Sequence, residues 1–296
     1  MKYFSTFSGI GGFEVGIGDK AECVGFSEIC PKAIKVYRAH FPGHPGFGDI
    51  TKIVPESAPR FDLLVGGFPC QPFSVMGKIL AFRDERTRPF FSMLGLLKAV
   101  KPRHIIIENV ASMRKDKRKI VRTLLENALG RRVFEKGINS NLLSAQTRDR
   151  IYWTTFPVTG PKHTGETVSD ILLPLEAVIG EVTFALRESG NTPERWPAGI
   201  KPRPCHSRIL KQTAMGHGKT VPLTTNSHLA AYCSPNFLCP KSNLYRTLHP
   251  IERERLQKFP DNWTVAAGLP SKRGALLGNA VTTTVIKHIF SCLPRH

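Results

Sequence analysis

Cys70 stands in the run Gly66-Gly67-Phe68-Pro69-Cys70-Gln71-Pro72-Phe73-Ser74, directly after the apolar segment Phe61 to Val65. Strand-forming residues stop at Gly66, the glycines permit close backbone approach or positive φ, and Pro69 and Pro72 fix the chain on either side of the sulfur. A thiol held this way at the carboxyl end of a strand lies where open α/β sheets bind their ligands. On this loop alone two readings are equally open. The cysteine is a reactive nucleophile, or it is the small buried hydrophobe that isolated intracellular cysteines commonly are.

Four further clusters share the chain with this loop: Phe7-Ser8-Gly9-Ile10-Gly11-Gly12-Phe13, Ile105-Ile106-Ile107-Glu108-Asn109-Val110, Gln146-Thr147-Arg148-Asp149-Arg150 and Leu277-Gly278-Asn279-Ala280-Val281. In this order the five resemble the motifs of the DNA (cytosine-5)-methyltransferase family in its small, monospecific form. A sixth stretch, Arg246 to Asp261, resembles the element that closes the variable region of that family. The resemblance runs from Phe7 to Val285 and is weak from about Phe156 to Tyr245. Two positions depart from the pattern. Ser5 stands where the family often has aspartate, and Arg88-Pro89-Phe90-Phe91 replaces the more usual Gly-x-Leu-Phe after Asp84-x-Arg86.

The resemblance implies methyl transfer from S-adenosyl-L-methionine to carbon-5 of cytosine in a specific DNA sequence. That carbon is a poor nucleophile until a thiolate, here Cys70, adds to carbon-6 and makes the ring an enamine. Glu108 ends an apolar strand after three isoleucines, a setting suited to a proton-carrying carboxyl that bonds ring nitrogen-3 and the exocyclic amino group. Arg148 is expected at the active site beside the base carbonyl and Glu108, with Arg150 structural or a DNA contact. Charge pairing with a nearby carboxylate is the alternative for either arginine. Because duplex DNA hides the reactive face, the base must be flipped out.

For the cofactor, the resemblance places Phe7, Gly9 and Gly11 around its methionine and adenine portions and Glu28 on the ribose. Asp49 takes the adenine amino group, Ile50 is a further contact, and Asn279 closes the pocket. Read without the resemblance, Asp49 is a turn residue and Asn279 a helix cap. The glycine turn also lacks the spacing of a dinucleotide fingerprint. Gln71, Arg150, Lys219, Thr220 and Thr224 are the expected DNA contacts, the last three from the loop Gly216 to Asn226. Two rival functions remain open: a tRNA cytosine-5 methyltransferase and a DNA-binding regulator without catalysis. The joint presence of Cys70, Glu108 and Arg148 argues against the second.

The elements that must position these groups follow from hydrophobic patterning. Lys2 to Phe7, Ala21 to Ser27, Phe61 to Val65 and His104 to Ile107 read as strands. They alternate with helix-like Glu14 to Ile17, Pro31 to Phe41 and Phe90 to Val100. This alternation predicts an α/β fold, a Rossmann-like, mostly parallel sheet of the S-adenosylmethionine-dependent methyltransferase type. After Trp153 proline and glycine become frequent until the helix-like Ile251 to Phe259. The expected domains are 1–156 plus 265–296 for catalysis and cofactor, with a helix from Val281 to Phe290, and a smaller irregular target-recognition domain over 157–264.

Composition bounds the partners. The chain of 296 residues carries 42 Lys and Arg against 23 Asp and Glu, a net +19, which favours a polyanion such as double-stranded DNA. Residues Val110 to Lys136 alone carry net +6, centred on Arg114 to Lys119. That run is either a solvated helix start or a set of phosphate contacts. The seven cysteines form no CxxC pair, so neither a disulfide framework nor a metal site is expected. With no apolar run of membrane-spanning length and no signal peptide, the expectation is a monomer without membrane association. It would be intracellular, in the cytoplasm if the source is prokaryotic. A cognate restriction endonuclease acting on the same site is an open partner.

Overall fold

A computed structural model of the chain describes residues 1–69, 85–178, 184–186, 236–238 and 244–294. In chain order its main elements are β1 (Lys2–Thr6), α1 (Gly12–Ile17), β2 (Glu22–Ser27), α2 (Pro31–His40), β3 (Leu63–Gly67), α3 (Arg88–Val100), β4 (His104–Val110) and α4 (Lys115–Leu129), followed by β5 (Phe134–Asn139), β6 (Asp149–Thr154), β7 (Phe184–Leu186), β8 (Asn236–Leu238), β9 (Leu244–Thr247), α5 (Pro250–Leu256), α6 (Pro270–Asn279) and α7 (Thr283–Ser291). Two compact units divide the chain. The first takes Met1–Asn139, Asp149–Lys162 and Thr283–His296, the second Ser140–Arg148 and His163–Thr282.

The first unit is built on a sheet of order β2-β1-β3-β4-β6-β5. Strands β1 to β4 run parallel, and β6 is antiparallel to both β4 and β5. The chain leaves β1 for β2 on one side and comes back for β3 on the other. The carboxyl ends of β1 and β3 therefore flank a topological switch point, the usual ligand crevice of an open α/β sheet. Leu63, Leu64 and Val65 of β3 and Ile105, Ile106 and Ile107 of β4 are fully buried, as strands covered on both faces must be. Phe90, Met93 and Leu97 of α3 and Val121 and Leu125 of α4 join Phe4, Ile105 and Trp153 in one core cluster. Pro89 sits in the first turn of α3, where its missing N–H is not needed.

The second unit holds an antiparallel sheet of order β7-β9-β8. Its α5 opens with a capping box: Glu252 Oε2 accepts from the His249 N–H at 2.7 Å, and Ile251 N–H donates to His249 Nδ1 at 3.2 Å. Buried Glu254 accepts from Thr264 N–H and from Arg273 Nη2, both at 2.8 Å. Gln257 donates to the Leu277 carbonyl at 3.2 Å and accepts from Thr282 Oγ1 at 2.8 Å. These bonds tie residues 264–282 to α5, so the return expected at 265 falls instead at Thr283. Residues 140–148 also move to this unit, where Thr164 N–H donates to the Leu142 carbonyl at 2.9 Å. Among the described residues no helix is long and apolar enough to cross a membrane.

One charged group lies deep in the first unit. Glu14 of α1 is 2% exposed and accepts from Tyr37 Oη at 3.1 Å. Burial lifts its carboxyl to about 7, opposed by the hydroxyls of Ser5 and Tyr37 and by the backbone. Between the ordinary carboxyl range and pH 7 the native protein keeps a proton that the unfolded chain has lost. Stability therefore falls as pH rises through that window and levels off above it, by at most about 3 kcal/mol. Glu14→Gln is expected to remove this part of the slope, measured as urea unfolding free energy at pH 5 and pH 8. Parallel pH profiles for the two proteins would contradict the assignment.

Candidate active site

The turn after β1 takes three positive φ values within five residues: Phe7 at 52°, Gly9 at 56° and Gly11 at 88°. Glycine carries two of them without strain. Gly9 N–H donates to Glu28 Oε2 at 2.8 Å, while the N–H groups of Ile29 and Cys30 both donate to Oε1 at 2.8 Å. The Glu28 carboxylate thus pins the glycine turn to the end of β2 and is itself held as a fixed acceptor. Among the described residues, no heavy atom beyond its chain neighbours lies within 4 Å of where a Gly9 side chain would project. Ile29, next to Glu28, is 69% exposed. An open backbone turn, an oriented carboxylate and a bare aliphatic side chain suit a ligand with hydroxyls and a flat apolar ring. Ile29 escaped the sequence reading; its signal was a large aliphatic residue directly after the acid that ends β2.

Asp49 caps the short helical turn Ile50–Lys52, its Oδ1 accepting from Thr51 N–H at 2.9 Å and Thr51 Oγ1 at 2.8 Å. Those Thr51 bonds, the backbone one foremost, hold its carboxyl below the usual carboxylate range. The Ile50 side chain is in the core cluster, which leaves its backbone as the group able to meet a ligand. Asn279 is the last residue of α6 and is exposed, within the second unit.

At the carboxyl end of β4, Glu108 stands in register with Gly67 of β3 on one side and Tyr152 of β6 on the other. A Cβ on residue 67 would lie 2.9 Å from Glu108 Oε2, so glycine there makes room for the carboxylate. Arg150 pairs with Val110, one diagonal step from Glu108. Its Nε lies 2.8 Å from Glu108 Oε1, with both side chains about seven-eighths buried. The contact is a charge pair rather than an aligned hydrogen bond, since Oε1 has no partner of hydrogen-bonding angle. Glu108 therefore faces a guanidinium and not the purely apolar pocket suggested by three isoleucines. Beside it, buried Asn109 donates from Nδ2 to the Phe68 carbonyl at 2.9 Å and accepts the Val110 N–H at 2.9 Å. It anchors the chain two residues before Cys70.

The arginine beside Glu108 is thus Arg150, a place that the family resemblance implies for Arg148. β6 begins only at Asp149, so Arg148 does not alternate with Arg150 along a strand. It belongs to the preceding loop, 3% exposed, and donates to the carbonyls of Gly278 at 3.2 Å and Ala280 at 2.6 Å. The loop is closed by Ser140 Oγ donating to the Gln146 carbonyl at 2.7 Å and Ser140 N–H to the Arg148 carbonyl at 3.0 Å. Gln146 is fully buried there. Cys70, Gln71, Lys219, Thr220 and Thr224 lie outside the described residues.

The family model described as C-5 cytosine-specific DNA methylase matches residues 1–171 and 187–295. The chain belongs to that family, and is a methyltransferase by that membership. It is 33% identical over 295 residues to the Type II methyltransferase M.NgoBI of Neisseria gonorrhoeae, covering 97% of this chain and 90% of that protein. To the Type II methyltransferase M.NgoBV of the same organism it is 42% identical over 172 residues, a match that spans 41% of that longer protein. In fold it is similar to the Dnmt2 methyltransferase of S. pombe, with a TM-score of 0.73, 19% identity, and coverage of 98% of this chain and 97% of the other.

Removing Asn109 strips the Phe68 carbonyl and the Val110 N–H of their side-chain partner. Asn109→Ala is expected to lower the unfolding free energy by about 1–3 kcal/mol in urea titration. A change within error would mean that the anchor is dispensable.

Proposed function

We propose that the chain methylates carbon-5 of cytosine in a specific sequence of double-stranded DNA, using S-adenosylmethionine and a covalent Cys70 adduct on a flipped-out base. The observation that carries this reading is the Glu108 carboxylate, fixed at the ligand edge of the sheet beside the strand that leads into the Cys70 loop. When bound, S-adenosylmethionine supplies an electrophilic methyl group. Phe7, Gly9, Gly11, Glu28, Ile29, Asp49 and the Ile50 backbone would hold it; the open turn and the locked Glu28 acceptor support that fit.

Cys70, as thiolate, bonds to carbon-6, and the electron pair of the broken ring double bond moves toward carbon-5. Glu108 bonds ring nitrogen-3 through a proton and accepts from the exocyclic amine, which limits charge build-up on the base. Arg150 takes the role beside Glu108, holding the carboxylate in orientation; its Nη1 donates to the Asp149 carbonyl at 2.8 Å, which leaves Nη2 to meet the base. Arg148 instead fixes the loop before β6 to the Gly278–Ala280 backbone. After methyl transfer, loss of the carbon-5 proton breaks the carbon–sulfur bond and frees Cys70.

Extruding the base costs a few kcal/mol, which phosphate contacts help to offset. In the basic run, Arg118 is tied to the carbonyls of Met113 and Ala111, and Lys117 is buried. Arg114, Lys115 and Lys119 are exposed and suited to phosphate. The Type II names of the relatives favour a role in restriction-modification or a viral equivalent, with a restriction endonuclease reading the same site.

Purified protein with labelled methyl donor should label cytosine in duplex DNA, and bisulfite sequencing of DNA from an expressing host should map one target sequence. Label on tRNA alone would overturn the substrate. Cys70→Ser should abolish transfer with DNA binding retained, and Glu108→Gln should lose most of the rate with cofactor binding retained. Arg150→Ala should lower kcat about 100-fold with its melting temperature little changed, whereas Arg148→Ala should chiefly destabilise. A wild-type rate for Arg150→Ala would return the role beside Glu108 to another group.

A further inference from the structure

The first unit carries a second recess, away from the ligand edge. A cavity of about 610 Å³ opens at the amino-terminal ends of β1 and β2. Its lining includes Glu14, Asp19 and Glu22 with the rings of Tyr3, Phe41 and His44, and among the described residues no lysine or arginine. In a chain of net +19 that is a local reversal of sign. Three carboxylates alone are an ordinary surface feature, and the decisive group is Glu14. One of its oxygens accepts from Tyr37 Oη. The other, Oε2, is buried and makes no hydrogen bond; the Ser5 hydroxyl faces the carboxyl without a full hydrogen-bond geometry.

The groups around Glu14 supply no positive charge. Burial keeps Tyr3, Tyr37 and Cys23 protonated and neutral well past pH 7, the Cys23 thiol being pushed up to about 11. His44 hydrogen-bonds Tyr37 Oη at 2.9 Å, and burial with the nearby Arg38 lowers its affinity for a proton. Arg38 itself turns to the carbonyls of Pro42 and His44. The recess is therefore a negatively charged, aromatic-walled space whose counter-charge is not supplied by its own walls.

We infer that this recess binds an aliphatic polyamine. Its carboxylates pair with ammonium groups, while Tyr3, Phe41 and His44 offer ring surfaces to the alkyl chain and to the cations. A metal ion fits less well, because the described residues contain no cluster of three or more His, Cys, Asp or Glu side chains able to hold one. A multiply charged organic cation matches a lining that carries two exposed carboxylates, Asp19 and Glu22, and the buried Glu14. Occupancy would clamp the start of β1 and β2 to α1, the same unit whose far end carries the Gly9 turn and Glu28. Polyamine binding here is independent of the methylation reading.

Calorimetric titration of spermidine into the nucleic-acid-free full-length protein tests it, with sodium chloride and magnesium chloride at matched ionic strength as controls. We expect a saturable single site for spermidine that neither salt reproduces. Asp19→Asn with Glu22→Gln, both exposed positions, should weaken it about tenfold or more. Affinity should also rise from pH 6 to pH 8 in the wild type and not in Glu14→Gln. Heat no greater than that of the matched salts, or unchanged affinity in the double rim variant, would overturn the inference whether or not Glu14→Gln folds.

Discussion

The Glu108 carboxylate occupies space that exists because residue 67 has no side chain. In the β3–β4 register Gly67 lies opposite Glu108, and a Cβ there would come within 2.9 Å of Oε2. From the other side, β6 brings the Arg150 guanidinium to 2.8 Å of Oε1. Just beyond, Asn109 binds the Phe68 carbonyl, so the strand that makes room for the acid also leads toward Cys70 in the sequence. A single residue of slippage between β3 and β4 would turn each of these side chains to the opposite face. The register is held by the buried run of Leu63 to Val65 against Ile105 to Ile107.

The ends of the β1–β2 unit use carboxylates in contrasting ways. At the carboxyl end, Glu28 is satisfied by three backbone N–H groups and acts as an oriented acceptor. At the amino end, Glu14 is buried with one oxygen lacking a hydrogen bond, so its charged form is costly unless a cation arrives. The first arrangement builds a rigid ligand edge. The second leaves a carboxyl that burial keeps protonated up to about pH 7.

Much of this was legible in the sequence because parallel strands buried on both faces leave unambiguous apolar runs. β1 to β4 and the helices between them fall within a few residues of the patterning; Glu28 directly follows β2, while β4 continues two residues past Glu108 to Val110. What escaped depends on long-range partners. β5 and β6 alternate polar and apolar residues weakly; β6 is defined by antiparallel pairing with β4, and β5 by antiparallel pairing with β6. That Arg150 pairs with Glu108 while Arg148 binds the Gly278 and Ala280 carbonyls turns on where β6 begins, and residue types do not mark that point. The extent of the second unit was hidden for the same reason: the Glu254–Arg273 and Gln257–Thr282 bonds join segments well apart in sequence.

Bonding of the Cys70 sulfur to carbon-6 of an extruded cytosine is the step on which the proposed chemistry stands. The direct measurement is incubation with duplex DNA that carries 5-fluorocytosine in the methylated sequence, with methyl donor present, followed by denaturing electrophoresis and peptide mass analysis. Because fluorine cannot leave as a proton does, a stable protein–DNA adduct mapped to Cys70 and missing in Cys70→Ser is the predicted result. Absence of any adduct on a substrate whose unfluorinated counterpart is efficiently methylated, or an adduct that persists in Cys70→Ser, would contradict it.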